Sequence, residues 1–275
     1  MNSGISTANP NPNVRQAVVT VVYGSHAERL DETFLSFRKT PFLELHAFIL
    51  GDHLPKRRFP EIHYHLRPHD PRFSHPMREA DYRRWELIDE LGVDYCLVVD
   101  GLDVACLQPL EPIPSLLRGA AVGVCVEHGG GRYLDHGLYT ANFFNAGVTF
   151  WDVAQSRPIR QEILQRGRAR FRNIVDDQLS LNEVLHTHYF NQVVILPCQY
   201  NFRASLGPKP IGWPRVHSLD GVRIYHNKHW VHEALRRSWK PRGQLPSLPP
   251  DPVQPLPRWK QFYRRLLYRL RRIGT

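Results

Sequence analysis

The chain has 275 residues, 42% apolar and 23% charged, with a formal net charge of +10. This length allows one large domain or two small ones, and the composition is that of a globular protein, not a collagenous or wholly disordered chain. No stretch reaches the roughly eighteen consecutive apolar residues of a membrane span, no basic-then-apolar leader opens the chain, and the four cysteines contain no C-x-x-C pair, which excludes a zinc knuckle and a dense disulfide frame.

These features predict a cytoplasmic protein in which Cys96, Cys106, Cys125 and Cys198 are buried free thiols. The positive charge is concentrated at the end of the chain. Arg258, Lys260, Arg264, Arg265, Arg269, Arg271 and Arg272 occur there with no acid between them, so the remaining body is only mildly basic.

In chain order, residues 1–13 are rich in Asn, Pro, Ser and Gly and read as a disordered N-terminus. "AVVTVVY" reads as a buried first strand, "HAERLDETFLSFRKT" as a helix through Leu30, Phe34 and Phe37, and "LELHAFIL" and "EIHYHL" as the next two strands. "ADYRRWELIDELG" has the spacing of an amphipathic helix, Trp85, Leu87, Ile88 and Leu91 forming its apolar face and Gly92 its stop, and it leads into the strand "DYCLVVDG". Strand and helix alternate, which predicts an α/β fold on a mostly parallel sheet.

Further on, "GAAVGVCVE" and "AGVTFWDV" read as strands, "RPIRQEILQRGRARF" and "DDQLSLNEVLHTH" as helices, and "QVVILP" and "VRIYHN" as late strands. Residues 241–257 hold too many prolines for helix or sheet and read as a linker, so the globular domain is expected over 14–240. Residues 258–275 follow as a basic amphipathic helix. Trp259, Phe262, Tyr263, Leu266, Leu270 and Ile273 recur at steps of three and four, an apolar face that suits an anionic membrane surface, through residues 258–273, better than nucleic acid.

Candidate chemistry begins where the central apolar strand ends. Asp100 and Asp103 follow "CLVV" directly, and a carboxylate at the tip of a buried strand needs a positive partner. In an open α/β sheet, ligands collect at such strand ends. The two acids converge only if the chain turns at once, a turn Gly101 is suited to allow. Paired hard oxygens suit Mg²⁺ or Mn²⁺; the alternative is that Asp100 caps a helix and Asp103 faces solvent.

The segments "VVDGLDV", "FFNAGVTFWDV", "DDQLSLNEVL", "LPCQYNFR" and "IYHNKHW", in this order, resemble the retaining GT-A nucleotide-sugar glycosyltransferases, in particular glycosyltransferase family 8. "VVDGLDV" with "DDQL" is also similar to the glycosyltransferase domain of the procollagen lysyl hydroxylases. The resemblance runs from Val18 to Trp230. It implies a GT-A, Rossmann-like nucleotide-diphospho-sugar transferase fold. Asp100, Asp103 and His226 would be ligands of Mn²⁺ or Mg²⁺, the nitrogen ligand favouring Mn²⁺. Tyr23, Arg84, Asn145, Gly147 and Lys228 would line the nucleotide-sugar site, Lys228 against the diphosphate, and Asp177 and Gln178 would be the candidate catalytic pair, with Leu179 at the third position of the family's D-Q-D.

The activity so implied is transfer of a hexose, glucose or galactose, from a UDP-sugar to a glycan, glycolipid or protein hydroxyl, with no nucleic-acid partner. The alternative is a GT-A protein that binds nucleotide or glycan without turnover. Because an amide oxygen is a weak nucleophile, same-face attack is expected over a covalent intermediate on Gln178, with Asp177 the fallback nucleophile.

Overall fold

Strand β1 (Gln16–Tyr23) is the run QAVVTVVY, and seven of its eight residues are buried. β-branched side chains pack well on a pleated surface, and successive ones leave on opposite faces. Ala17, Val19 and Val21 therefore enter one core, with Phe48, Trp85 and Trp151, while Val18 and Val22 enter a second, with Phe34, Phe37 and Phe150. This is a central strand covered on both sides.

The computed structural model describes residues 13–238 apart from 31, 74, 128–142, 170–175, 207–215 and 217. All of them belong to a compact unit, Met1–Leu245; a second unit is Pro246–Thr275. The expected N-terminal coil (all but its last residue), the proline-rich linker 241–257 and the C-terminal helix 258–275 lie outside the described residues.

After β1 come α1 (Glu32–Leu35), β2 (Leu43–Leu50), β3 (Ile62–Arg67), α2 (Pro76–Leu87), β4 (Tyr95–Val99), β5 (Val104–Cys106), α3 (Ile113–Leu117), β6 (Val122–Val126) and β7 (Phe144–Asp152). Then follow α4 (Arg157–Ala169), α5 (Asp176–His188), β8 (Val193–Ile195), β9 (Ile224–His226) and α6 (Val231–Ser238). Seven strands form one sheet in the order β3-β2-β1-β4-β7-β6-β8. Every pairing in it is parallel except those of β7 with β4 and β6, so β7 alone is reversed. β5 and β9 make a separate antiparallel pair.

Two expected elements differ from the fold. Segment 26–40 is not one helix but two 3-10 turns flanking the single turn α1. Its side chains bond elsewhere: Ser36 Oγ accepts from Cys106 N–H at 2.7 Å and Thr40 Oγ1 from Leu110 N–H at 3.0 Å, tying the segment to β5 and beyond. Helix α2 begins four residues before the expected start. His75 caps it, its ring nitrogen accepting from Met77 N–H at 3.1 Å, and Pro76 takes the first turn, where no N–H is needed. Three of the cysteines are buried as expected; Cys198 is exposed.

Candidate cation and nucleotide-sugar site

The parallel strands β1, β2, β3 and β4 end along one sheet edge, and the site is built on the tip of β4. Its ladder to β7 runs one residue past the strand, with Asp100 N–H donating to Gly147 O at 2.9 Å. Residues 101–103 then turn into β5. β5 pairs with β9 so that Val104 lies opposite His226, and Asn227 N–H donates to Asp103 O at 2.9 Å. Two ladders thus bring together residues more than a hundred positions apart.

The outcome is a three-residue cluster. One ligand atom from each of Asp100, Asp103 and His226 lies within 4.8 Å of the others, and His226 Nε2 is 3.5 Å from Asp100 Oδ2 and 3.4 Å from Asp103 Oδ2. Two hard oxygens and one imidazole nitrogen fit a divalent cation. The backbone makes room for the cluster at Gly147, where a Cβ would collide with both Asp100 and His226. Gly147 is therefore needed for the carboxylate and imidazole beside it.

Gly101 acts differently from expectation. It does not adopt a left-handed φ; a Cβ there would strike Val22 Cγ1 and Thr20 Oγ1. Close packing of the turn on β1, not backbone freedom, is what selects glycine at this position.

Arg84, on α2, joins the cluster to the rest of the cleft. Its guanidinium donates through one nitrogen to Asp100 Oδ1 and through the other to Asp177 Oδ2, both at 2.5 Å, and its charge rests 4.9 Å from the Trp85 ring centroid. The residue is 4% exposed, which excludes a solvated helix face. Asp100 is engaged by Arg84 and does not cap a helix. Asp177, on the first turn of α5, spends its carboxylate on the same guanidinium; the side chain of Asp176 lies outside the described residues.

Behind this pair is a web of amides. Asn145 Nδ2 donates to Glu127 Oε2 at 2.5 Å and to Gln178 Oε1 at 3.1 Å, Ala146 N–H donates to Gln178 Oε1 at 3.1 Å, and Arg203 binds Glu127 at 2.8 Å. Asn182 receives Phe144 N–H and donates to Phe144 O, fastening α5 to β7.

Charge in the cleft is unevenly shared. Burial pushes the Asp100 carboxyl up, but the Arg84 and His226 charges outweigh it and hold it below the usual range. Asp177 is raised by burial, Arg84 only partly offsetting. Asp81, on α2 one helical turn before Arg84, is raised well above the ordinary value by burial and then by the charge of Asp177. The Arg84 guanidinium bonds two of these carboxylates, and Asp81 pairs with Arg78 at 3.7 Å. Burial pulls the His226 imidazole down, yet the Asp103 charge carries it up to about 9.

Tyr23, half-buried at the end of β1, meets the His26 ring in a tilted contact at 4.6 Å and feels the charge of Asp81. Lys228 is exposed on the turn after β9. A cavity of about 440 Å³ opens at the ends of β1, β2 and β3, lined by Gly24, Glu28, Leu50, Gly51 and His69 among others. The sequence reading missed Asp81, Glu127, Asn201 and Arg203. Glu127 carries the same signal as Asp100, an acid directly after the apolar strand VGVCV.

No family model and no curated protein sequence matches the chain. Solved structures match it in fold. The bifunctional glycosyltransferase WbbM, in its apo form, superposes with a TM-score of 0.51 at 15% identity over 71% of this chain and 41% of that one. An active-site mutant of LgtC superposes with a TM-score of 0.50 at 18% identity over 76% of this chain and 86% of that one. This chain therefore spans less than half the length of WbbM. The fold is the GT-A nucleotide-diphospho-sugar transferase fold, with a mostly parallel mixed sheet. Among the described residues no helix is long and apolar enough to cross a membrane.

Proposed function

We propose that the chain is a metal-dependent retaining glycosyltransferase, similar to family 8, that moves glucose or galactose from a UDP-sugar to a hydroxyl of a glycan, glycolipid or protein. The observation that carries this is Arg84, which spans from the carboxylate of a cation-binding cluster, Asp100, to the carboxylate at the start of α5, Asp177. A diphosphate and its sugar have those two needs side by side.

In this reading Asp100, Asp103 and His226 hold Mn²⁺ or Mg²⁺, which when bound supplies charge to offset that developing on the leaving diphosphate. The cavity at the ends of β1, β2 and β3 takes the nucleoside beside Tyr23, and Lys228 swings from its exposed turn toward the phosphates. Asn145 and Gly147 line the sugar side. Gln178 serves as an anchor and not as a nucleophile. Its carbonyl oxygen has two lone pairs, and Ala146 N–H and Asn145 Nδ2 occupy both. Asp177 is held by Arg84. These bonds favour same-face attack: the acceptor oxygen bonds to the anomeric carbon as the carbon–phosphate oxygen bond breaks, and the acceptor proton passes to that leaving oxygen.

Donor hydrolysis tests the proposal without an acceptor. Incubation of the chain with UDP-glucose or UDP-galactose and Mn²⁺ is expected to release UDP slowly, and chelator to stop it; α-linked donors should give α-configured product. Binding of UDP with no release of sugar under any condition favours the non-catalytic reading. The segment 258–273 is part of the proposal as a helix on an anionic membrane surface at the cytoplasmic face. Sedimentation with anionic vesicles should be lost when the chain is ended at Pro257; unchanged sedimentation removes that part.

A further inference from the structure

The hydrogen bonds behind the cation-binding cluster have readable directions. The Gly147 backbone N–H can only donate, and its acceptor is Asn145 Oδ1 at 3.0 Å. Since that end of the Asn145 amide is oxygen, the Asn201 atom 2.8 Å from it is Nδ2, which turns Asn201 Oδ1 toward His226. An amide oxygen only accepts, so His226 Nδ1, 2.9 Å away, carries a proton. The neutral ring then keeps its lone pair on Nε2, the nitrogen that faces Asp100 and Asp103. At the other end of the same chain, Asn145 Nδ2 donates to Glu127 and Gln178, and the Gln178 amide is itself set by the Ala146 N–H.

Every member is shielded from water: Asn145, Asn201, His226 and Glu127 are each buried. Turning any one amide over sets donor against donor and acceptor against acceptor, with no solvent to repair it. The proton on His226 is thus placed by two backbone N–H groups of β7, those of Gly147 and Ala146.

We infer that Asn201 is a positioning residue for the cation: it fixes the tautomer of His226 so that Nε2 faces Asp100 and Asp103, and through Asn145 it ties that choice to the Gln178 and Glu127 side of the cleft. This rests on the reading of Asp100, Asp103 and His226 as a cation site. Partners behind a ligating imidazole set its tautomer and ring orientation, and their loss typically weakens metal binding about 10–100-fold. Asn201 stands in "LPCQYNFR", far in sequence from the ligand it serves.

The test has two arms on the full chain. Imidazole ¹⁵N NMR without metal, recorded above the pH at which His226 loses its extra proton, should show the remaining proton on Nδ1; a proton on Nε2 overturns the inference. Mn²⁺ titration followed by electron paramagnetic resonance of the free ion should show about 10–100-fold weaker binding for Asn201→Leu, with circular dichroism unchanged. A folded Asn201→Leu that binds Mn²⁺ as the natural chain does overturns it. Should Asn201→Leu fail to fold, Asn201→Ala and the NMR of the natural chain decide. Failure of the natural chain to bind Mn²⁺ strikes the cation reading instead, and the place of the His226 proton still tests Asn201 by itself.

Discussion

Two clusters of titratable side chains on this sheet each include buried members, and they manage charge in opposite ways. At the tip of β4, Asp100 loses solvent but stays ionised, because the Arg84 guanidinium and the His226 ring overcome the effect of burial. Across β2 and β3, His46 also loses solvent, and burial pushes it down to about 4, with Glu44 offsetting only part and the His65 and His63 charges adding to the loss. Its ring lies 2.9 Å from His65 Nε2, 3.2 Å from Glu44 Oε2, and stacked on His63. Burial alone neutralises a group; burial beside a matched opposite charge preserves it. The first arrangement suits binding of a cation and a diphosphate, the second only packing.

The sharpest way to break this contrast is to remove the matched charge. Arg84→Met leaves Asp100 and the buried Asp177 without their partner, which should cost about 3–5 kcal/mol in urea unfolding near neutral pH. Without the guanidinium, both carboxyls would hold protons to a higher pH than in the unfolded chain. The loss should therefore shrink as pH falls, and an equal loss at pH 5 and pH 8 would contradict the pairing.

The His46 cluster makes a second, somewhat smaller prediction of the opposite pH sign. His46 titrates near 6.5 when unfolded and about 4 when folded. Above pH 6.5 both states are neutral and there is no effect. Between 6.5 and 4 the unfolded chain binds the proton first, so stability is lost as pH falls, by about 2–4 kcal/mol in total before levelling below pH 4. His46→Leu should flatten that part of the stability curve. An unchanged slope would show that His46 takes its proton in the folded state.

Gly147→Ala sharpens the contrast without touching any charge. The added methyl meets Asp100 and His226 together, so the chain must shift around the cluster, at about 1–3 kcal/mol. Mn²⁺ should bind far more weakly, as judged by calorimetry. Wild-type affinity with full stability would mean that the ring and carboxylate have room to spare.

What the sequence disclosed follows the same division. Asp100 and Asp103 were visible because an apolar strand ended in acids, and β1 because its β-branched run has no polar face. The amide web was not visible. Glu127 follows an apolar strand as Asp100 does, and Asn201 and Arg203 lie in "LPCQYNFR", but their pairing depends on β9 and the turn at 198–200 meeting β7 in space. Asp81 was readable in principle, being three residues before Arg84 and so on the same helix face. The broken helix over 26–40 escaped because Ser36 and Thr40 bond to distant backbone, a tertiary choice that local spacing does not encode.

The smallest expected effect on stability separates the cation from the fold itself. Among the described residues Asp103 pairs with the His226 ring, whereas Asp100 is held by Arg84 as well. Asp103→Asn keeps the shape and removes one of two neighbouring like charges, so metal-free stability should stay within about 1 kcal/mol of the natural chain. Mn²⁺ at one hundred times its dissociation constant should stabilise the natural chain by about 2.7 kcal/mol, and the variant hardly at all at the same concentration. Thermal melts with and without Mn²⁺ read both quantities. Should the variant melt early without metal, Asp103 is a structural carboxylate like Asp100; should it keep the Mn²⁺ shift, the cation is held by other groups, and the contrast between the two clusters loses its functional half.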